Sequence, residues 1–252
     1  NGKLSKRDGD RLGFPVFPTN WTTAEGELYS GYREKGYLPG AFINMLALLG
    51  WNPGTTQEIF TLDELCEAFS LERVSKAGAK FDPEKTKWFQ QQYLRGLNND
   101  EIAAQLNEIG GFDMPLDRLA QVCGLMKERA TFAQDILTEG SYLFSRPTEF
   151  DKDTILKKWK DETTGYISEW KSIVSDIHNF TAEEIEKAFK SFLEAKQVGI
   201  GAVLLPYRLC VTGVGAGPGM FDISAFLGKD EVLARLESGL ARIQTIRDEA
   251  SH

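Results

Sequence analysis

Signals that start and stop helices punctuate almost the whole 252-residue chain, while the two-residue alternation of half-buried strands is scarce. Thr61-Leu62-Asp63-Glu64 reads as a capping box, in which the Thr hydroxyl and the Glu carboxylate each satisfy a backbone N–H left free by the first helical turn. Thr131 with Gln134 and Thr181 with Glu184 repeat that pattern. Asp82-Pro83 supplies an N-cap and a first-turn proline, opening a helix expected to run to about Arg95. The run Pro39–Leu49 is apolar on every side and stops at Gly50, which predicts a buried helix. Strand is expected only as short pieces near Phe14–Phe17 and Glu58–Leu62. The fold class is therefore mainly α.

Two joints interrupt the helical pattern, Gly96–Asn99 and Ser145-Arg146-Pro147-Thr148, where proline disfavours helix at the residue before it. They divide the chain into three expected units, 1–95, 96–145 and 146–252. No internal repeat or low-complexity tract is visible. The longest apolar stretch, Met45–Leu49, is far too short for a membrane span, and no charged-then-apolar leader opens the chain. Cys66, Cys123 and Cys210 form no CxxC or Cys/His cluster, so no metal site and reduced, cytoplasmic thiols are expected. Net charge is −8. Residues 1–95 carry 12 basic and 12 acidic side chains, 96–145 carry 3 and 8, and 146–252 carry 14 and 17. No basic stripe exists, so attraction to phosphates regardless of sequence should be weak. Charge alone argues against general coating of nucleic acid, though not against a partner chosen through a few local contacts.

Three ordered stretches carry a resemblance. The first is Gly2-Lys3-Leu4-Ser5-Lys6-Arg7, a cationic loop of the kind that stabilises charge on a phosphate. It resembles the KMSKS signature loop of class I aminoacyl-tRNA synthetases, in the KLSKR form of glutamyl-tRNA synthetases. The second is Gly31–Trp51, with Leu38-Pro39-Gly40-Ala41, Asn44 and Leu46-Ala47-Leu48-Leu49-Gly50-Trp51, followed by Phe81-Asp82-Pro83-Glu84-Lys85, Trp88 and Tyr93-Leu94. The third is Leu205-Pro206-Tyr207-Arg208-Leu209-Cys210-Val211-Thr212-Gly213, then Gly217-Pro218-Gly219-Met220 and Leu227-Gly228-Lys229-Asp230. Both are similar to segments of the bacterial-type glutamyl-tRNA synthetases, the third to their anticodon-binding end. A His-Ile-Gly-His-type motif is missing, His178 and His252 being isolated and late. The resemblance thus implies the C-terminal part of such an enzyme, starting at the signature loop and without its catalytic dinucleotide-fold domain.

The resemblance also implies roles. Residues 1–95 would form a stem-contact unit with a few short strands, and 96–145 and 146–252 an all-helical cage that binds the anticodon. In the full-length ligase, Lys6 would stabilise the ATP phosphates as pyrophosphate leaves, with Lys3 opening the motif and Ser5 holding the loop; Mg2+ would accompany ATP. Arg129 looks like the arginine that reads the third anticodon base, and its bland alternative is a cation at a helix end. Arg208 matches the arginine of the anticodon-contacting helix, which can find acceptors inside the protein or on RNA. Gly217, Pro218 and Met220 match the turn that touches anticodon bases. The family often has Thr where Gly217 stands, so a side-chain contact there is lost. Gly213–Gly219 lacks the Gly-Lys-Ser/Thr ending of a phosphate loop, and a purely structural turn is its alternative. The aromatics Trp51, Trp88, Trp159, Trp170 and Phe132 fall at core spacing. Implied partners are tRNA(Glu), with L-glutamate and ATP for the whole enzyme; the chain alone is expected to be an inactive monomer. A helical protein-interaction module without an RNA role is the competing reading.

Overall fold

In the computed structural model the described residues are Gly9, 13–110 and 113–250. The signature loop, Lys3–Arg7 with Ser5 and Lys6, lies outside them. The chain forms two compact units, one within residues 1–111 and Lys127–Thr138, the other within 112–126 and 139–252.

The first unit begins with a minimal hairpin. Strands β1 (Trp21–Thr22) and β2 (Leu28–Tyr29) pair antiparallel, with Trp21 opposite Tyr29 and Thr22 opposite Leu28. The expected strands do not form. Phe14–Phe17 contributes one isolated bridge, Phe17 to Gly31, and Glu58–Phe60 is irregular because its backbone is bonded by side chains instead. Phe60 N donates to Asn44 Oδ1 at 2.8 Å, and the Phe60 carbonyl accepts from the Tyr93 hydroxyl.

Helix α1 (Pro39–Gly50) starts on its proline and packs on α3 (Pro83–Gly96). Gly40 lets them approach, since a Cβ there would stand 2.6 Å from the Tyr93 ring. Asn44 and Gln90, both fully buried, cross-link the pair to neighbouring backbone; Gln90 accepts from Leu38 N at 2.8 Å. Contrary to expectation α1 is not buried all round: Ala41 and Met45 face the core, but Ile43 and Leu46 are exposed. Its moderate apolar surplus covers more than one face, which hydrophobicity alone cannot resolve.

The caps fare unevenly. Thr61 and Glu64 form the full reciprocal box at the start of α2 (Leu62–Ala68), and Asp82 accepts from the N–H groups of Glu84 and Lys85. Asn98 and Glu101 form an unforeseen second box opening α4 (Asn99–Ile109). At the third expected cap, before α6 (Ala133–Glu139), the acceptor is Asp135, whose carboxylate takes the N–H groups of Thr131 and Phe132. Thr131 is engaged elsewhere, its hydroxyl accepting from Gln91 Nε2 at 2.9 Å.

The second unit is all helix among its described residues: α5 (Leu116–Met126), α7 (Lys152–Lys158), α8 (Thr163–Asp176), α9 (Ala182–Lys196), α10 (Gly201–Thr212), α11 (Met220–Leu227) and α12 (Lys229–Ala250), with a 3-10 turn at Ser141–Leu143. Thr181 caps α9 by accepting from Glu184 N, without a reciprocal bond. The core is aromatic: Trp170 meets Phe189 edge-on at 4.9 Å and Tyr207 at 5.6 Å, all three fully buried. Trp159 is also buried in this unit; in the first unit Trp51 is buried, whereas Trp88 and Phe132 are half-buried. Helices α10 and α12 pack closely at Gly239, where a Cβ would run into the Cys210 backbone.

Candidate nucleic-acid interface

Helix α10 ends in a way that shapes the loop beyond it. Four residues after Arg208, the Thr212 hydroxyl donates back to the Arg208 carbonyl at 2.8 Å and takes the Val214 N–H at 3.3 Å. Gly213 adopts φ 77 and bonds the Leu209 carbonyl at 3.0 Å, the left-handed helix stop that only glycine makes without strain. A Cβ there would also stand 2.4 Å from the Glu149 carbonyl oxygen. The Gly213 carbonyl in turn accepts from Asp151 N at 2.8 Å. Asp151 caps α7, and the Thr154 hydroxyl and N–H that it accepts hold its carboxyl below the usual range.

Arg208 is 9% exposed, and its Nη2 donates to the Pro218 carbonyl at 2.6 Å. Of the two kinds of acceptor open to it, the one the structure supplies here is the loop's own backbone. Gly217 lies against the same guanidinium: a Cβ would stand 2.8 Å from Arg208 Nη1 and 3.0 Å from Tyr142 Oη. Pro218 is buried and Met220, the first residue of α11, is 2% exposed. Gly217 is half-buried, while Val214, Ala216 and Gly219 are exposed. The outward surface of residues 213–219 is thus mostly backbone and small side chains. At Gly219 a Cβ would stand 2.1 Å from Asp222 Oδ2, so the carboxylate folds over the start of α11, where the helix dipole favours negative charge.

The structure therefore gathers Arg208, Gly217, Pro218 and Met220 into one loop and its support. Arg129 belongs to the first unit. It is exposed, on a turn pinned from both sides. Arg95 Nη2 donates to the Glu128 carbonyl at 2.8 Å, Lys127 Nζ to the Leu97 carbonyl at 3.2 Å, and Ala130 is 2% exposed. Trp88 is half-covered by a cation, Lys85 Nζ standing 4.1 Å from its ring centroid while paired to Glu58 at 2.5 Å. Among the described residues, no cluster of His, Cys, Asp or Glu is placed to hold a metal ion, and no helix is long and apolar enough to cross a membrane.

Residues 91–240, which contain both arginines and the loop, match the anticodon binding domain family. The chain belongs to that family. Ahead of its anticodon-binding region, residues 22–88 match the catalytic domain of class I tRNA synthetases of the E and Q type. The chain is 46% identical over 246 residues to the glutamate–tRNA ligase of Flavobacterium johnsoniae, which covers 96% of the chain and 49% of that relative. With the glutamate–tRNA ligase of Phocaeicola vulgatus it shares 48% identity, over 94% of the chain and 48% of the relative. A crystal structure of a glutamate tRNA ligase from Elizabethkingia meningosepticum, in complex with its amino acid, superposes with a TM-score of 0.89 at 42% identity, covering 96% of this chain and 49% of that one. The chain thus spans about half the length of the curated relatives it matches.

Sequence reasoning did not single out Tyr142, Thr212 or Asp222 around the loop. Thr212 leaves a local signal, four residues from Arg208 on the same helix. Tyr142 leaves none, since the contact spans 75 residues of sequence.

Proposed function

We propose that this chain is the tRNA-recognition, anticodon-binding portion of a glutamate–tRNA ligase whose full-length form attaches L-glutamate to tRNA(Glu) in a two-step, ATP-dependent reaction. The match of residues 91–240 to the anticodon-binding family carries this reading, and the glutamate–tRNA ligases similar over nearly the whole chain support it. The loop 213–219 would meet anticodon bases largely through backbone, with Arg208 holding its shape through the Pro218 carbonyl, and Pro218 and Met220 closing it from below. Arg129 would offer its guanidinium directly to a base edge. The absence of a basic surplus suits a protein that binds RNA by local fit.

ATP, with Mg2+, is proposed for the full-length ligase, held in part by Lys3, Ser5 and Lys6; none is proposed to bind this chain alone, which should show no glutamate-dependent ATP–pyrophosphate exchange. In the full enzyme Lys6→Ala should lower turnover more than it weakens ATP binding, because that contact strengthens as pyrophosphate leaves. We also propose a cytoplasmic monomer, and a division into a stem-contact unit, 1–95, and two anticodon-binding subdomains, 96–145 and 146–252. Filter binding tests the central point: the chain should retain a tRNA(Glu) transcript and release it when unlabelled tRNA(Glu) competes. Retention no greater than that of an unrelated stem-loop RNA would sink the reading.

A further inference from the structure

Tyr142 approaches the loop from a distant part of the chain and is held with unusual completeness. Its side chain is 3% exposed and its hydroxyl points at Met126 Sδ, 3.6 Å away. Its carbonyl accepts from Nη1 of Arg235 at 2.7 Å, and that same nitrogen reaches the Val211 carbonyl, in the last turn of α10, at 3.1 Å. Arg235 is itself 3% exposed, and its Nε rests on Glu231 Oε1 at 2.7 Å. Arg146 grips the same carboxylate, with Nη2 to Oε2 at 2.7 Å and Nε to Oε1 at 2.9 Å. The 3-10 turn, the end of α10 and α12 are thereby tied at one point, and the phenol ring has little freedom to retreat.

We propose that Tyr142 and Gly217 form a steric pair that sets the shape of the 213–219 loop, making Tyr142 a positioning residue for anticodon reading; the inference rests on the role proposed above for that loop. The space that a side chain at 217 would need is taken by Tyr142 Oη, 3.0 Å from the Cβ position, and by Arg208 Nη1, 2.8 Å from it. Arg208 cannot swing aside without giving up its bond to the Pro218 carbonyl. Gly217 also sits at φ 157, where a side chain is strained whatever the space, so residue 217 presents backbone alone to a partner, and the phenol acts as the floor on which that backbone rests. At this point the chain offers its main chain, kept at a fixed height by Tyr142. Specificity at that contact then depends on a residue that touches no RNA.

The test is a double-mutant cycle on the 252-residue chain. Binding is measured to a tRNA(Glu) transcript and to the same transcript with all three anticodon bases replaced. Gly217→Ala should weaken the native transcript roughly tenfold and leave the replaced one unchanged, and adding Tyr142→Phe should recover about threefold of that loss, because contacting residues couple. Tyr142→Phe alone should weaken the native transcript about threefold while melting within a few degrees of the unaltered chain, the loss of its bond to Met126 Sδ being small. Additive effects, or a Gly217→Ala variant that binds like the unaltered chain, would overturn the pairing while leaving the loop's role intact. A chain that binds both transcripts equally would remove the loop's role, and the pairing with it.

Discussion

Two arginines that the sequence assigns to the same RNA sit in opposite surroundings. Arg208 is buried on a helix and spends a donor on the Pro218 carbonyl, whereas Arg129 is exposed on a turn whose neighbours, not itself, carry the pinning bonds. A buried guanidinium must keep its acceptors or lose several kcal/mol of solvation, so Arg208 can act on a partner chiefly through the loop it holds. An exposed guanidinium on a rigid turn keeps its fork of donors for whatever docks there. Resemblance gives both residues one label, and burial separates them into a brace and a reader.

The largest effect should come from Arg208→Ala. Losing a charged hydrogen bond and leaving a cavity should destabilise the chain by about 2–4 kcal/mol and, by releasing the loop, weaken binding to native tRNA(Glu) more than to the transcript with a replaced anticodon. Urea titration with filter binding reads both, and a variant that keeps both its stability and its native binding would reverse the assignment. Next comes the frame behind the brace. The Arg146 guanidinium, with Arg235 beside it, holds the Glu231 carboxyl near a pKa of about 2, against an ordinary 4.5. Such a depressed value contributes stability that is complete above the unfolded pKa and is lost as pH falls from about 4.5 towards 2. Glu231→Gln should therefore flatten the pH dependence of melting in that window and leave the slope above pH 5 alone. Arg129→Gln, in a full-length ligase that discriminates, should narrow the preference for glutamate over glutamine tRNA about tenfold, within the range for a lost bidentate contact. Its stability should change by less than about 0.5 kcal/mol, as for most surface replacements. An intact preference would make Arg129 structural. The smallest test concerns caps: Thr61→Ala should cost about 1 kcal/mol and Thr131→Ala less, because Asp135 takes the N-terminal N–H groups there.

What the sequence disclosed follows from range. Asp82-Pro83 and Thr61 with Glu64 act within one helical turn, so their caps form where the pattern puts them. Thr131 with Gln134 matches the same pattern, but Asp135 stands one residue on with a better acceptor, and Gln91, from another helix, occupies the Thr131 hydroxyl. Glu58–Leu62 is a short strand candidate by its alternation, yet Asn44 and Tyr93 take the Phe60 backbone groups that a ladder would need. The same limit applies at the site. Arg208, Gly217, Pro218 and Met220 are close in sequence and could be named together, while Tyr142 and the Arg235 frame arrive through tertiary contacts that no local pattern records. Nor does composition mark the assignment of Lys127–Thr138, with Arg129, to the first unit.

The division of labour between the two arginines can be read most directly from backbone amide exchange over residues 213–217 and 219 in the RNA-free chain. If Arg208 braces the loop, Arg208→Ala should speed exchange there at least about tenfold, the effect of losing roughly 1.4 kcal/mol of local protection, while Arg129→Gln leaves those amides unchanged. Equal protection of the loop in both variants would contradict the account, because Arg208 would then hold nothing that the loop needs.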